Sequence, residues 1–214
     1  WTNYGANEVF NSIPLGGEVF LIGAYQRLRG TNPTQFKDFH TLGNGIKEMF
    51  IDEKVGGNYV LTNNETYTRE HTLYVNNDEF DAVVRASSET GFVSSKDGGF
   101  LKRDVNEDKL YLFPVGHKIK YRPIELTPVT NALANSYSVR MVSRDPNIDQ
   151  FYRFKKSQLV YNINPNHYHV ITRDTESSDP TYAVNMAMQY DELQDGIYQD
   201  IGHWDDNGTP STTI

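Results

Sequence analysis

The sequence predicts a mainly β fold, an antiparallel sandwich or barrel with one or two short helices near the N-terminus. Three observations predict it. Clusters of Gly, Pro, Asn and Asp recur roughly every ten residues through the C-terminal two-thirds of the chain, the punctuation of many short strands. Between them apolar and polar residues alternate, most cleanly over Leu110–Leu126, and a period of two is that of a half-buried strand. Gln150–Asp174 then holds two strand-like runs, Leu159–Ile163 and His167–Arg173, split by Asn164-Pro165-Asn166, which is a hairpin signal.

From the N-terminus, Trp1–Ser12 is polar and aromatic without a period, and Ile13–Gly17 is a turn. Glu18–Tyr25 (EVFLIGAY) is nearly continuous in apolar residues. It fits a strand buried on both faces, with a short buried helix as the alternative. A helix follows in the expected pattern: Thr31 or Asn32 as N-cap, Pro33 in the first turn, then Phe36, Phe39 and Leu42 at helical spacing, stopped by Gly43-Asn44-Gly45. Ile46, Met49 and Phe50 suggest a second helical turn before Gly56-Gly57.

From Asn58 the pattern is β. Tyr59–Leu61 and Thr72–Val75 are strands by composition. Asn76-Asn77-Asp78 is either a hairpin turn into Phe80–Arg85 or, with Asp78 as N-cap, the start of a helix Glu79–Glu89 stopped by Gly91; the pattern supports both. Phe92–Ser95 and Phe100-Leu101 flank Lys96-Asp97-Gly98-Gly99, a hairpin signal because Gly accepts positive φ. In His117–Arg122, His117, Ile119 and Tyr121 fall on one face of a strand and Lys118, Lys120 and Arg122 on the other. Pro123 and Pro128 limit pairing beside it, so this edge is expected to be exposed or bent. Ser136–Ser143 repeats the alternation, with Tyr137, Val139 and Met141 inward. After a polar loop at Thr175–Pro180, Tyr182–Met188 is a further strand, with a helix as the weaker alternative. Asp205–Ile214 has few core-forming residues and is expected to be an extended arm.

The sequence shows no internal repeat and no shift of composition that would mark a linker. One domain over 1–214 is therefore expected, with 1–57 as a helical embellishment. At 214 residues, 37% hydrophobic and 13% aromatic, the chain has material for a core without disulfide or metal. It contains no cysteine, which removes disulfides, thiolate catalysis and Cys-ligated zinc. The net charge of -8 disfavours non-specific nucleic-acid binding, because an acidic surface repels phosphate. Lys118, Lys120 and Arg122 are accounted for as a solvated strand face. No apolar run reaches the ~18 residues of a membrane-spanning helix.

The strongest chemical signal is His167-Tyr168-His169. Residues i and i+2 of a strand share a face, so two imidazoles there could hold a divalent metal with Asp174 or Glu176 as carboxylate partner. The spacing resembles the cupin metal motif, His-x-His followed after three or four residues by Glu, with Asp174 in the Glu place. That resemblance implies a metal-dependent β-barrel enzyme. A fragment like the second cupin block, Pro114–His117, precedes the first block instead of following it. Tyr168, Val170 and Thr172 form the other face of the strand; the His and Arg face is the one expected to be wet, at an edge of the sheet.

Other signals are sparser. Asp205–Thr209 puts oxygen ligands beside a glycine turn, without the alternating acids of an EF-hand. Asn64-Glu65-Thr66 and Asn207-Gly208-Thr209 fit the glycosylation acceptor pattern. No nucleophile elbow, P-loop, dinucleotide fingerprint or His-Glu-x-x-His occurs. Trp1, Tyr168 and Trp204 are candidate binding residues, since an apolar ring with a polar tip suits both sugar stacking and protein interfaces.

Two functions are compatible with these features. One is a structural protein without enzymatic activity or cofactor, acting through contacts with its own copies or other structural proteins. Its concrete form is a virion component such as a bacteriophage tail, neck or capsid-associated protein, so the expected location is virion or extracellular, with the cytoplasm also compatible. The other is a carbohydrate-binding module, or a cupin-like metal enzyme.

Overall fold

A computed structural model describes residues 17–86, 88–129, 134–156, 162–174 and 184–195, and the backbone of three short strands, β1 (Thr2–Asn3), β21 (His203–Trp204) and β22 (Pro210–Ser211). The chain forms two compact units, Trp1–Met141 with Val170–Gln189, and Val142–His169 with Tyr190–Ile214.

The first unit is a β-solenoid, not a sandwich or barrel. Its strands are laid down in coils of three. The first coil is β2 (Glu18–Ile22), β3 (Gln26–Gly30) and β4 (Gln35–Phe36). The second is β5 (Asp38–Leu42), β6 (Ile46–Met49) and β7 (Glu53–Val55). The third is β8 (Tyr59–Leu61), β9 (Glu65–Tyr67) and β10 (Thr72–Val75), and the fourth is β11 (Val83–Val84), β12 (Phe92–Ser94) and β13 (Phe100–Val105). Equivalent strands pair in parallel, giving three faces: β2-β5-β8-β11, β3-β6-β9-β12 and β4-β7-β10-β13. Strand β1 pairs with β3.

Each coil advances by about twenty residues: Glu18 lies opposite Asp38, and Phe39 opposite Tyr59. The last coil is longer, with Thr72 opposite Phe100, because extra residues lie between β10 and β11 and between β11 and β12. Clusters of Gly and Asn that resemble hairpin turns are corners that bend the chain without reversing it. Gly43-Asn44-Gly45 and Asn63-Asn64 both occupy such corners. Gly45 is obligatory: its φ is +87°, and a Cβ would overlap the carbonyl oxygen of Ala24 one coil away.

Register builds the core. Val19, Phe39, Tyr59 and Val83 form one inward row, and Phe36, Val55, Val75 and Arg103 another. Phe36 and Phe39 are fully buried and stack at 4.5 Å. Each such ring stabilises the fold by roughly 1.5–3 kcal/mol on leaving water.

These two residues also explain why helices were expected at the N-terminus and are absent there. A coil corner lies between them, so residues three apart meet in the interior without a helical turn. Ile46–Met49, expected as the second helical turn, is strand β6. Among the described residues the helical turns are a 3-10 turn at Pro146–Asp149 and α1 (Glu192–Asp195), each four residues long.

Polar members of the inward rows find partners inside, although Glu53 Oε1 and Arg103 Nε have none among the described residues. Thr41 Oγ1, Tyr59 OH and Thr66 Oγ1 form a hydrogen-bonded thread, with Tyr59 donating to Thr66 at 2.7 Å. Lys47 Nζ donates to Gly23 O. Glu53 accepts from Thr34 N at 2.7 Å. Arg103, fully buried, donates to the carbonyls of Leu112, Glu79 and Phe80.

Antiparallel strands follow the solenoid. β14 (Tyr111–Phe113) and β20 (Val184–Met188) flank β17 (Ile124–Pro128). β15 (Gly116–His117) and β16 (Lys120–Tyr121) form a tight hairpin, so His117–Arg122 is not the single strand expected. Lys118 and Ile119 are its tip; Lys118 has φ +57° and Ile119 is 85% exposed, whereas Arg122 is buried. β18 (Asn135–Val142) pairs with β13, and Tyr137, Val139 and Met141 are buried as its alternation predicts. β19 (Tyr168–Arg173) is the outermost described strand of that sheet, beside β18.

Three further expectations are corrected. Lys96–Gly99 is a corner between strands of different faces, not a hairpin. Among the described residues of 79–89 there is neither a helix nor a hairpin arm; they include β11, which pairs in parallel with β8. Glu18–Ile22 is not buried on both faces, since Phe20 is 45% and Ile22 67% exposed. Of the first arm of the expected hairpin, Leu159–Ile163, residues 159–161 lie outside the described residues and Asn162 and Ile163 are not in a strand; Asp205–Ile214 lies outside apart from Pro210–Ser211, which pairs with His203–Trp204.

Candidate functional site

The second unit holds the histidines. His169 lies in β19 and His167 immediately before it, and their rings meet edge to face at 5.9 Å. His167 is buried. Its Nδ1 lies 2.9 Å from Asn164 Nδ2 and 3.8 Å from the Asp195 carboxylate. Asp195 comes from α1, a carboxylate that strand spacing could not have indicated. The expected third ligand, Asp174, belongs to the first unit, where it pairs with Lys102 Nζ and donates its backbone N–H to Ser136 O. Glu176 lies outside the described residues. Among the described residues no group of three or more His, Asp or Glu could hold a metal ion. The β-barrel that a cupin requires is replaced by a solenoid.

Tyr168 points away from the histidines. Its hydroxyl donates to Asp149 at 2.6 Å and its ring packs on Phe151. Arg144 closes on the same Asp149, and Asp145 caps the 3-10 turn while pairing with Arg153. This is a structural cluster that ties a turn to a strand. Trp1, the Trp204 side chain and residues 205–209 lie outside the described residues.

The solenoid surface carries features that sequence patterns did not indicate. The outward row of the first face is Phe20, His40, Val60 and Val84, with Ile22 and Leu42 in the next row. Phe20 stacks on His40 at 4.4 Å, and Val84 is 43% exposed. Stacking coils in register therefore lines up apolar side chains on the outside as well as within. The signal was present in EVFLIGAY, whose alternate members had to face outward once the strand had only one buried side.

The second face is polar. Arg27, Arg29 and Arg69 place their guanidinium carbons 5.7, 4.3 and 4.6 Å from the centre of the Phe50 ring. Glu48 pairs with Arg27 and Arg69 and accepts from Tyr25 OH, and these partners hold its carboxyl below the usual range against the opposing pull of burial.

Between these faces, the β15–β16 tip and the corner line an open cavity of about 410 Å³. Asn63, Asn64, Glu65, Thr90 and Lys118 supply its polar lining, and Ile46, Phe92 and Ile119 its apolar lining. Asn63 Oδ1 accepts from both the N–H and the hydroxyl of Thr90. Asn64 is buried and donates to Thr41 O at 2.6 Å, which takes this glycosylation-pattern residue out of reach of solvent. Its Oδ1 is buried with no hydrogen-bond partner among the described residues.

Compared with protein families, with curated proteins and with solved structures, the chain matches none.

Proposed function

We propose that this chain is a structural module that works through protein–protein contacts in a virion or extracellular assembly; a bacteriophage tail, neck or capsid-associated protein is the concrete virion form. The observation that carries the reading is the outward apolar row of the first face. Phe20, Ile22 and Val84 remain substantially exposed on a parallel sheet whose coils share one register. An aligned apolar surface on a rigid sheet favours association with a complementary partner. The edge supports the same reading: β2 has β5 as its one sheet neighbour among the described residues, and a sheet edge is a template for a further strand. No helix among the described residues is long and apolar enough to cross a membrane.

The test is native mass against concentration, with cross-linking to other products of the source. Self-association or a captured structural partner is expected, and both should be lost with Phe20→Glu/Ile22→Glu. A chain that stays monomeric at high concentration and never co-assembles would defeat the reading.

A further inference from the structure

We propose that the cavity under the β15–β16 tip is a binding site for a short stretch of neutral glycan. At about 410 Å³ it falls within the usual range for small-ligand sites, ~300–1,000 Å³. Its lining is mixed in the way a sugar ring requires. Sugar hydroxyls both donate and accept, and the walls offer an amide pair, a carboxylate, a hydroxyl and an ammonium. The C–H face of a sugar needs an apolar surface, which the exposed Ile119 provides from above, with Ile46 and Phe92 below.

Asn64 anchors the corner: its amide nitrogen donates to Thr41 O at 2.6 Å, which holds Asn63 beside it, whose Oδ1 accepts from Thr90. Glu65 and Lys118 leave the lining without net charge, which suits a neutral sugar. The polar lining selects against a lipid chain.

The corner also repeats along the solenoid axis. Gly45 in the second coil, Asn63-Asn64 in the third and Thr90 in the fourth line the site, so it extends across three successive coils.

Titration of the full chain with cellohexaose, maltohexaose, laminarihexaose and chitohexaose, followed by amide NMR, tests the site. At least one should bind with millimolar or tighter affinity and shift the signals of Asn63, Thr90 and Ile119. The double variant Lys118→Gly/Ile119→Ser should weaken that binding at least tenfold with an unchanged melting temperature. Both residues are exposed at the tip, and glycine suits the positive φ of Lys118. Failure of all four sugars to bind, binding untouched by the double variant, or binding of an acidic oligosaccharide such as hexagalacturonate alone would each overturn the proposal.

Discussion

Arg103 Nη1 donates to Leu112 O at 2.8 Å, joining the last solenoid strand to the first antiparallel strand that follows. The same guanidinium holds Glu79 O and Phe80 O, and lies near the rings of Tyr111 and Phe113. Burial lowers its pKa to about 10, so it stays charged at neutral pH. Arg103→Met would fill much of the volume and leave three carbonyls without their donor. A loss of about 3 kcal/mol or more in urea denaturation is expected. Arg103→Lys should lose less, because one ammonium can still reach some of the carbonyls.

Glu53 gives a pH signature. Burial pushes its carboxyl up to about 8, against the opposing hydrogen bond from Thr34 N. The folded state therefore keeps a proton that the unfolded chain gives up near its ordinary value of 4.5. Stability from this group is complete below about 4.5 and is lost as pH rises towards about 8. The loss is on the order of a few kcal/mol. Glu53→Gln should be more stable than the parent at pH 8 and lose this slope; an unchanged pH profile in denaturation series would refute the assignment.

Gly45 and Gly56 form a matched pair for backbone space. Gly45→Ala meets both a left-handed φ and the Ala24 carbonyl, and should cost about 1–3 kcal/mol or more. The nearest obstacle to a Cβ at Gly56 is the flexible Gln35 side chain at 3.2 Å, so Gly56→Ala should be tolerated within about 0.5 kcal/mol. Thermal melts of the two variants check the contrast.

For the apolar face, Phe20→Glu/Ile22→Glu should weaken association at least tenfold. The monomer's stability should move by no more than ~1 kcal/mol, since both side chains are already half in water. Sedimentation separates the two effects.

Strand content was legible because the alternation at Tyr137, Val139 and Met141, and the β composition of Tyr59–Leu61, are local. The coil was not, because pairing at a separation of about twenty residues leaves no mark in a single period. The rows also mix residue types: Leu21, Thr41 and Leu61 lie in register, as do Lys47, Thr66 and Val93. A row that needs only volume and satisfied polar groups shows no repeat. Phe36 and Phe39 then imitated a helix across a corner. The histidine pair was legible from its spacing, whereas Asp195 and Asn164 reach His167 through tertiary folding. The corner cavity draws on three coils and a distant hairpin tip, so no contiguous motif could announce it.

Stacking in register also makes the solenoid a ruler. Each coil adds one interstrand spacing, ~4.8 Å, along the axis, and contacts only the coils on either side of it. Gaining or losing some twenty residues between equivalent corners would change the reach of the first unit by that fixed increment while leaving the faces of the remaining coils in place. Length in such a protein is adjusted in whole steps, and the long last coil, with its extra residues on either side of β11, shows where they are absorbed without adding a step.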